Sequence, residues 1–128
     1  MSEPIIFISN QRIKEGKIDG YKQYYRQVAE FTEANKPGTV AHLAYANEDG
    51  TAVSIVHVFT DAESMELHMQ GVGELAKKAF EFMEVVSIEI YGRPTDAVLE
   101  MMKGIVGSGV GLSIKPEPIG GYIRFKSG

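Results

Sequence analysis

The stretch from Thr51 to Met83 constrains the fold more than any other, because a strand pattern, a capped turn and a helical pattern follow one another without a spacer. Side chains alternate across a strand, so over Ala52 to Phe59 the residues Val53, Ile55, His57 and Phe59 share one face, and Ser54, Val56 and Val58 the other. Both faces are largely apolar, which calls for cover on both sides. Thr60-Asp61-Ala62-Glu63 then fits a capping box, in which the threonine hydroxyl and the glutamate carboxylate each satisfy an orphan amide, and predicts a helix from about Asp61. From there Met65, His68, Val72, Leu75, Ala76, Ala79 and Met83 recur at three-and-four spacing, the stripe of one helix face. His68 therefore falls within the stripe that packs on the sheet.

The flanking segments complete the pattern. Pro4 to Asn10 carries the run Ile5-Ile6-Phe7-Ile8, a buried strand. After a polar turn at Lys14 to Lys17, the residues Ile18, Tyr21, Tyr25, Val28 and Phe31 mark a helix that ends at Pro37-Gly38. Thr39 to Ala46 alternates as a second strand, and Asn47-Glu48-Asp49-Gly50 joins it to Ala52–Phe59 as a hairpin. Glu84 to Tyr91 reads as a fourth strand with Val86, Ile88 and Ile90 on one face. Thr95 caps a short third helix reaching about Met102; the glycine-spaced segment beyond is a flexible connector, and Gly120 to Phe125 is expected as a short edge strand.

The order strand, helix, strand, strand, helix, strand predicts an α+β fold: a ferredoxin-like βαββαβ arrangement with an antiparallel four-stranded sheet, plus a C-terminal helix and extension. Residues 1–103 form the expected domain, and 104–128 a glycine-rich extension packing on it or on a partner. Both main helices cover the same sheet face. The other apolar face needs a partner, which a homodimer through the sheet supplies.

Composition removes several classes of function. A net charge of −4 with no cluster of basic residues gives no footprint for nucleic acid or an anionic membrane. No apolar run approaches the roughly 20 residues of a membrane span. A cytoplasmic protein is the expectation. The chain has no cysteine, so thiolate chemistry and disulfides are out, and three histidines are its only soft metal ligands.

Three segments then carry a family resemblance: Ile13-Lys14-Glu15-Gly16-Lys17 before the first helix, the Asn47–Gly50 hairpin, and above all His57-Val58-Phe59-Thr60-Asp61-Ala62-Glu63-Ser64-Met65-Glu66-Leu67-His68. From Ile5 to Gly92 the chain resembles the dimeric α+β barrel superfamily and, within it, antibiotic biosynthesis monooxygenases. In that family a strand ends in an aromatic residue and the next helix presents a histidine or tryptophan to the cavity; Phe59 and His68 match these positions. The resemblance implies a cavity between the second helix and the sheet, lined by Asn10, His57, Phe59 and His68, and oxidation of a small aromatic or quinol-like compound by oxygen without a cofactor. His57 stands where many relatives have glutamate, and Met65 where they have alanine. Haem-degrading relatives use an asparagine near Asn10, but the absence of tryptophan, and of a histidine within Leu75 to Phe80, disfavours haem.

His68 is the candidate catalytic residue, since a neutral imidazole in an apolar pocket accepts a proton from a phenol or enol. The plainer reading makes it a hydrogen-bonded packing residue in a non-catalytic homodimer that binds a small ligand or stabilises a partner. His42 and His57 lie on neighbouring strands, and a metal site with His68 would need a strand register that brings all three together. No metal is assigned on that basis. Tyr21, Tyr24 and Tyr25 are expected as core residues, one of which lines the cavity.

Overall fold

The computed structural model describes residues 3–70, 77–106 and 109–124. Its elements in chain order are β1 Ile5–Ile13, α1 Ile18–Asn35, β2 Thr39–Ala46, β3 Ala52–Phe59, α2 Ala62–Gln70, β4 Met83–Tyr91, α3 Asp96–Val106 and β5 Gly111–Lys115. A helical turn at 77–79 precedes β4. The sheet order is β2-β3-β1-β4-β5, antiparallel throughout except for the β4–β5 pair, which is parallel.

The expected four-stranded antiparallel sheet is thus the central part of a five-stranded mixed sheet. The extra strand comes from the glycine-spaced segment read as a connector, where Leu112 and Ile114 alternate inward with Ser113 and Lys115 outward. The edge strand expected at Gly120 to Phe125 is absent over 120–124, and Phe125 lies outside the described residues. With α3 crossing over between β4 and β5, parallel pairing is the geometry that a helical connection provides.

Two local features set side-chain direction. In the hairpin, Asn47 N–H donates to Ala52 O at 3.0 Å and Gly50 N–H to Asn47 O at 3.1 Å, with Gly50 at φ +73° where a side chain would be strained. Between β1 and β4 the register shifts at Asn10/Gln11. That bulge places Val86 outward, half exposed, and returns Val85 to the core, reversing the alternation expected from an unbroken strand.

The start of α2 also differs from the capping-box expectation. Asp61 is the cap: its carboxylate accepts from Ser64 N–H at 2.8 Å, while the Thr60 hydroxyl pairs with the Ser64 hydroxyl at 2.8 Å. Met83 leaves the helical stripe and opens β4; Val72, Leu75 and Ala76 lie outside the described residues. Thr95 does cap α3, its Oγ1 accepting from Val98 N–H at 3.3 Å.

The core forms in two clusters beneath one sheet face. Ile5, Phe7, Phe59, Met65, Ile90, Val98 and Met102 belong to the first, and Ile13, Tyr21, Val53, Ala79 and Met83 to the second. The space between them holds the histidines.

Candidate functional site

The site is built by strand register. β2 and β3 pair so that His42 lies directly opposite His57, on the face where Phe7 and Phe59 also point. α2 crosses that face and brings in His68, which is 3% exposed. The ring centroids lie 4.5 Å apart for His42–His57, 5.4 Å for His57–His68 and 5.7 Å for His42–His68.

Each ring is held by its Nδ1. His57 Nδ1 lies 3.0 Å from the Phe7 carbonyl oxygen. A carbonyl only accepts, so His57 carries its proton on Nδ1 and its lone pair on Nε2. His42 Nδ1 meets the Tyr25 hydroxyl at 2.7 Å, and His68 Nδ1 meets the Thr39 hydroxyl at 3.1 Å. Phe7 stacks on His57 with centroids 4.7 Å apart, and Phe59 lies 5.2 Å from His68.

Close approach fixes α2 over the strands. A Cβ on Gly38 would fall 2.2 Å from Ser64 Oγ, so only glycine lets the start of β2 pass under the first turn of the helix. Thr60 N–H donates to Gly38 O at 3.0 Å, tying the end of β3 to the same point.

The rings line a cavity of about 430 Å³, within the size range of small-molecule sites. Its wall is mostly apolar, with Tyr24, Val28, Ile55, Met69, Met83 and Ile88 among the contributors. A second polar stretch runs along β1. Tyr21 Oη donates to Gln11 Oε1 at 2.6 Å and Gln11 Nε2 to Ser9 Oγ at 3.0 Å, all three residues being buried and lining the cavity.

Burial dominates the electrostatics. It pushes His42 and His68 down from the ordinary 6.5 to about 4, and His57 well below 6.5, each further opposed by charge on a neighbouring ring in the case of His57 and His68. Burial also raises Tyr25 to about 12, and it raises Tyr21 as well. At neutral pH the cluster is three uncharged imidazoles beside protonated phenols.

The residues proposed from sequence distribute unevenly. His57 and His68 line the cavity together with His42. Phe59 is fully buried behind them and makes ring contacts with both His57 and His68. Asn10 does not join them: it projects from the opposite sheet face, donating to Ser87 Oγ at 3.0 Å and Glu89 Oε2 at 2.9 Å and accepting from Ser54 Oγ at 2.7 Å. Strand alternation explains this, since Phe7, Ser9 and Gln11 take the inward positions of β1. Ser9 and Gln11, which the sequence reading did not place in the site, share the inward parity of Phe7 on β1, and Tyr21, Tyr24 and Tyr25, of which one was expected at the cavity, all line it.

The fold is shared with solved proteins that include a cofactor-independent oxygenase and provisionally assigned antibiotic biosynthesis monooxygenases. MupZ from Pseudomonas fluorescens superposes with a TM-score of 0.73 at 20% identity, over 95% of this chain and 91% of that one. SnoaB, a cofactor-independent oxygenase from Streptomyces nogalater, gives 0.62 at 15% identity, over 73% of this chain and 96% of that one. A Caulobacter crescentus protein assigned provisionally as an antibiotic biosynthesis monooxygenase gives 0.62 at 14% identity, over 70% and 88% of the two chains. The match over 95% of this chain leaves out about six residues, fewer than the 11 of α3, so it reaches into that helix. No family model and no curated protein sequence matches the chain. Among the described residues no helix is long and apolar enough to cross a membrane.

Proposed function

We propose that the chain binds a small, largely apolar hydroxylated compound, an aromatic or quinol-like molecule, between α2 and the sheet and oxidises it with dioxygen without an added cofactor. The observation that carries this reading is the convergence of His42, His57 and His68 on one wall of a mostly apolar cavity. His68 is the proton acceptor. The substrate O–H bond breaks, its proton passes to an imidazole lone pair, and the electron pair stays on the ring, which becomes electron-rich enough to reduce oxygen. One oxygen atom is added at a ring carbon, which gives up its one hydrogen while the hydroxyl gives up the other, so that the phenol becomes a quinone, and the second oxygen atom leaves as water.

A ring held near pKa 4 is a weak base when alone. Inside the cavity its proton would face the phenolate just formed, and that pairing raises the imidazole again while water is excluded. The polar stretch from Tyr21 through Gln11 to Ser9 offers hydrogen bonds to a second substrate oxygen. Fold similarity to a cofactor-independent oxygenase supports the chemistry, and function still has to be established at the site.

The test is oxygen uptake with a panel of hydroquinones and electron-rich phenols. Wild type should consume oxygen with at least one, and His68→Ala should lose turnover while keeping its fold. Unchanged turnover in His68→Ala would sink the assignment. Melting-temperature shifts without oxygen uptake would instead support a ligand-binding protein, a reading favoured by rings that stay neutral and hydrogen-bonded.

We further propose a homodimer through the outer sheet face. Leu43, Tyr45 and Val86 are each at least 50% exposed there, beside the partly buried Ile6, Ile8, Val56 and Val58. That is the apolar patch which a second copy would cover.

A further inference from the structure

We infer that His42, His57 and His68 form a three-nitrogen site for a divalent first-row transition metal ion, with a fourth position open to the cavity. One ring nitrogen from each residue lies within 4.8 Å of the other two. Tetrahedral bonds of about 2.0–2.1 Å put ligand nitrogens roughly 3.4 Å apart, so a pair at that 4.8 Å limit has to draw in by about 1.4 Å.

The hydrogen bonds around the rings match what metal-bound histidine needs. Each Nδ1 already has an oxygen partner: the Tyr25 hydroxyl for His42, the Phe7 carbonyl for His57 and the Thr39 hydroxyl for His68. A ligating imidazole typically donates its other N–H to an oxygen, which fixes the tautomer and directs the lone pair. Here that leaves Nε2 of each ring as the ligand atom.

The donor set selects the ion. Three imidazoles without thiolate or carboxylate suit Zn²⁺, Co²⁺, Ni²⁺ or Cu²⁺ and not Mg²⁺ or Ca²⁺, which require oxygen ligands. No Asp or Glu lines the cavity among the described residues. A bound dication would therefore keep its full charge and favour an anion, such as hydroxide, phenolate or carboxylate, in the open position. The three rings sit on the wall of the roughly 430 Å³ cavity, so that position is reachable by a small molecule.

Metal binding and proton acceptance draw on the same lone pairs, so the two uses exclude one another. A Zn²⁺-loaded chain should lose the metal-free turnover proposed above. The inference does not rest on that turnover, since binding is read without substrate.

The experiment is calorimetric titration of the full chain with Zn²⁺, and with Co²⁺ as a visible-absorption probe. The expected result is one ion per chain and Co²⁺ bands of a four- or five-coordinate nitrogen site. His42→Ala and His68→Ala should each weaken Zn²⁺ binding more than about 100-fold, and Tyr25→Phe, which keeps all three ligands, by about 10-fold. His57 is buried between Phe7 and Phe59, and its alanine variant can fail to fold; Tyr25→Phe and Thr39→Val keep the test decisive. No saturable binding, or binding unchanged in both His42→Ala and His68→Ala, would overturn the site.

Discussion

The two faces of the sheet use polar groups in opposite ways. On the inner face His42, His57 and His68 are packed among aromatic rings and burial holds them neutral. On the outer face Glu89 is bonded by Tyr91 Oη at 2.7 Å and Asn10 Nδ2 at 2.9 Å, and these two contacts hold its carboxyl below the usual range, favouring the charged form. Neighbouring residues of one strand belong to both worlds: Gln11 lines the cavity, and Asn10 anchors the outer network. The lesson is that alternation, once strand register is set, decides which polar residue can do chemistry in a dry pocket and which serves the surface.

The largest expected effect separates the faces along the pH axis. His42 and His68 titrate near 4 in the fold against 6.5 ordinarily, so between those values the unfolded chain binds more protons than the folded one. Stability is full above pH 6.5 and falls as pH drops towards about 4, by up to about 1.4 kcal/mol per pH unit for each ring charged only in the unfolded chain. Glu89, lowered from 4.5, stabilises above that value and its contribution is lost only as pH falls further. Urea denaturation at stepped pH should show the histidine loss first, and His42→Gln should make it shallower. A flat profile between pH 6.5 and 5 would break the comparison.

Packing sharpens it next. Phe59 has no exposure and its strand neighbour Val58 is only partly buried on the other face. Phe59→Ala should cost about 3–5 kcal/mol and Val58→Ala about 1 kcal/mol or less, as read by chemical denaturation of the two variants.

Gly38→Ala comes third. The added methyl meets the Ser64 side chain, so overpacking of about 1–3 kcal/mol is expected. Because the shift acts on α2, ligand affinity at His68 should fall with it. Gly38→Ala combined with Ser64→Gly should restore both; a double variant as impaired as the single one would remove the contact as the cause.

The smallest effect tests the outer face. Asn10→Ala removes three partly exposed hydrogen bonds and should cost about 1 kcal/mol, with cavity ligand binding unchanged. A large loss of ligand affinity would return Asn10 to the site.

Much of this was legible in the sequence. The spans of β2 and β3, the central βαββαβ order, the Thr95 cap and the shared face of His57 and Phe59 follow from periodicity and turn residues, and the family resemblance implied that this face lines the cavity. The histidine cluster was not, because hairpin register sets it. A turn closed by Ala46 and Ala52 would set His42 beside Val56, whereas the observed pairing of Ala46 with Val53 sets it beside His57. One residue of slip turns a side chain to the other face. The side chain of Asn47 decides the matter, its Oδ1 accepting from both Thr51 and Ala52 N–H at 3.0 Å. The outward position of Val86 was hidden by a bulge, and β5 by its glycine at the start and its length of five residues.

The central claim is that the inner face presents three neutral imidazoles to the cavity, with the His57 lone pair on Nε2. A long-range proton–nitrogen NMR spectrum of the histidine-labelled protein at pH 7 tests it most directly. The account predicts three uncharged rings and a proton on His57 Nδ1. A ring carrying both protons, or His57 protonated on Nε2, would contradict it.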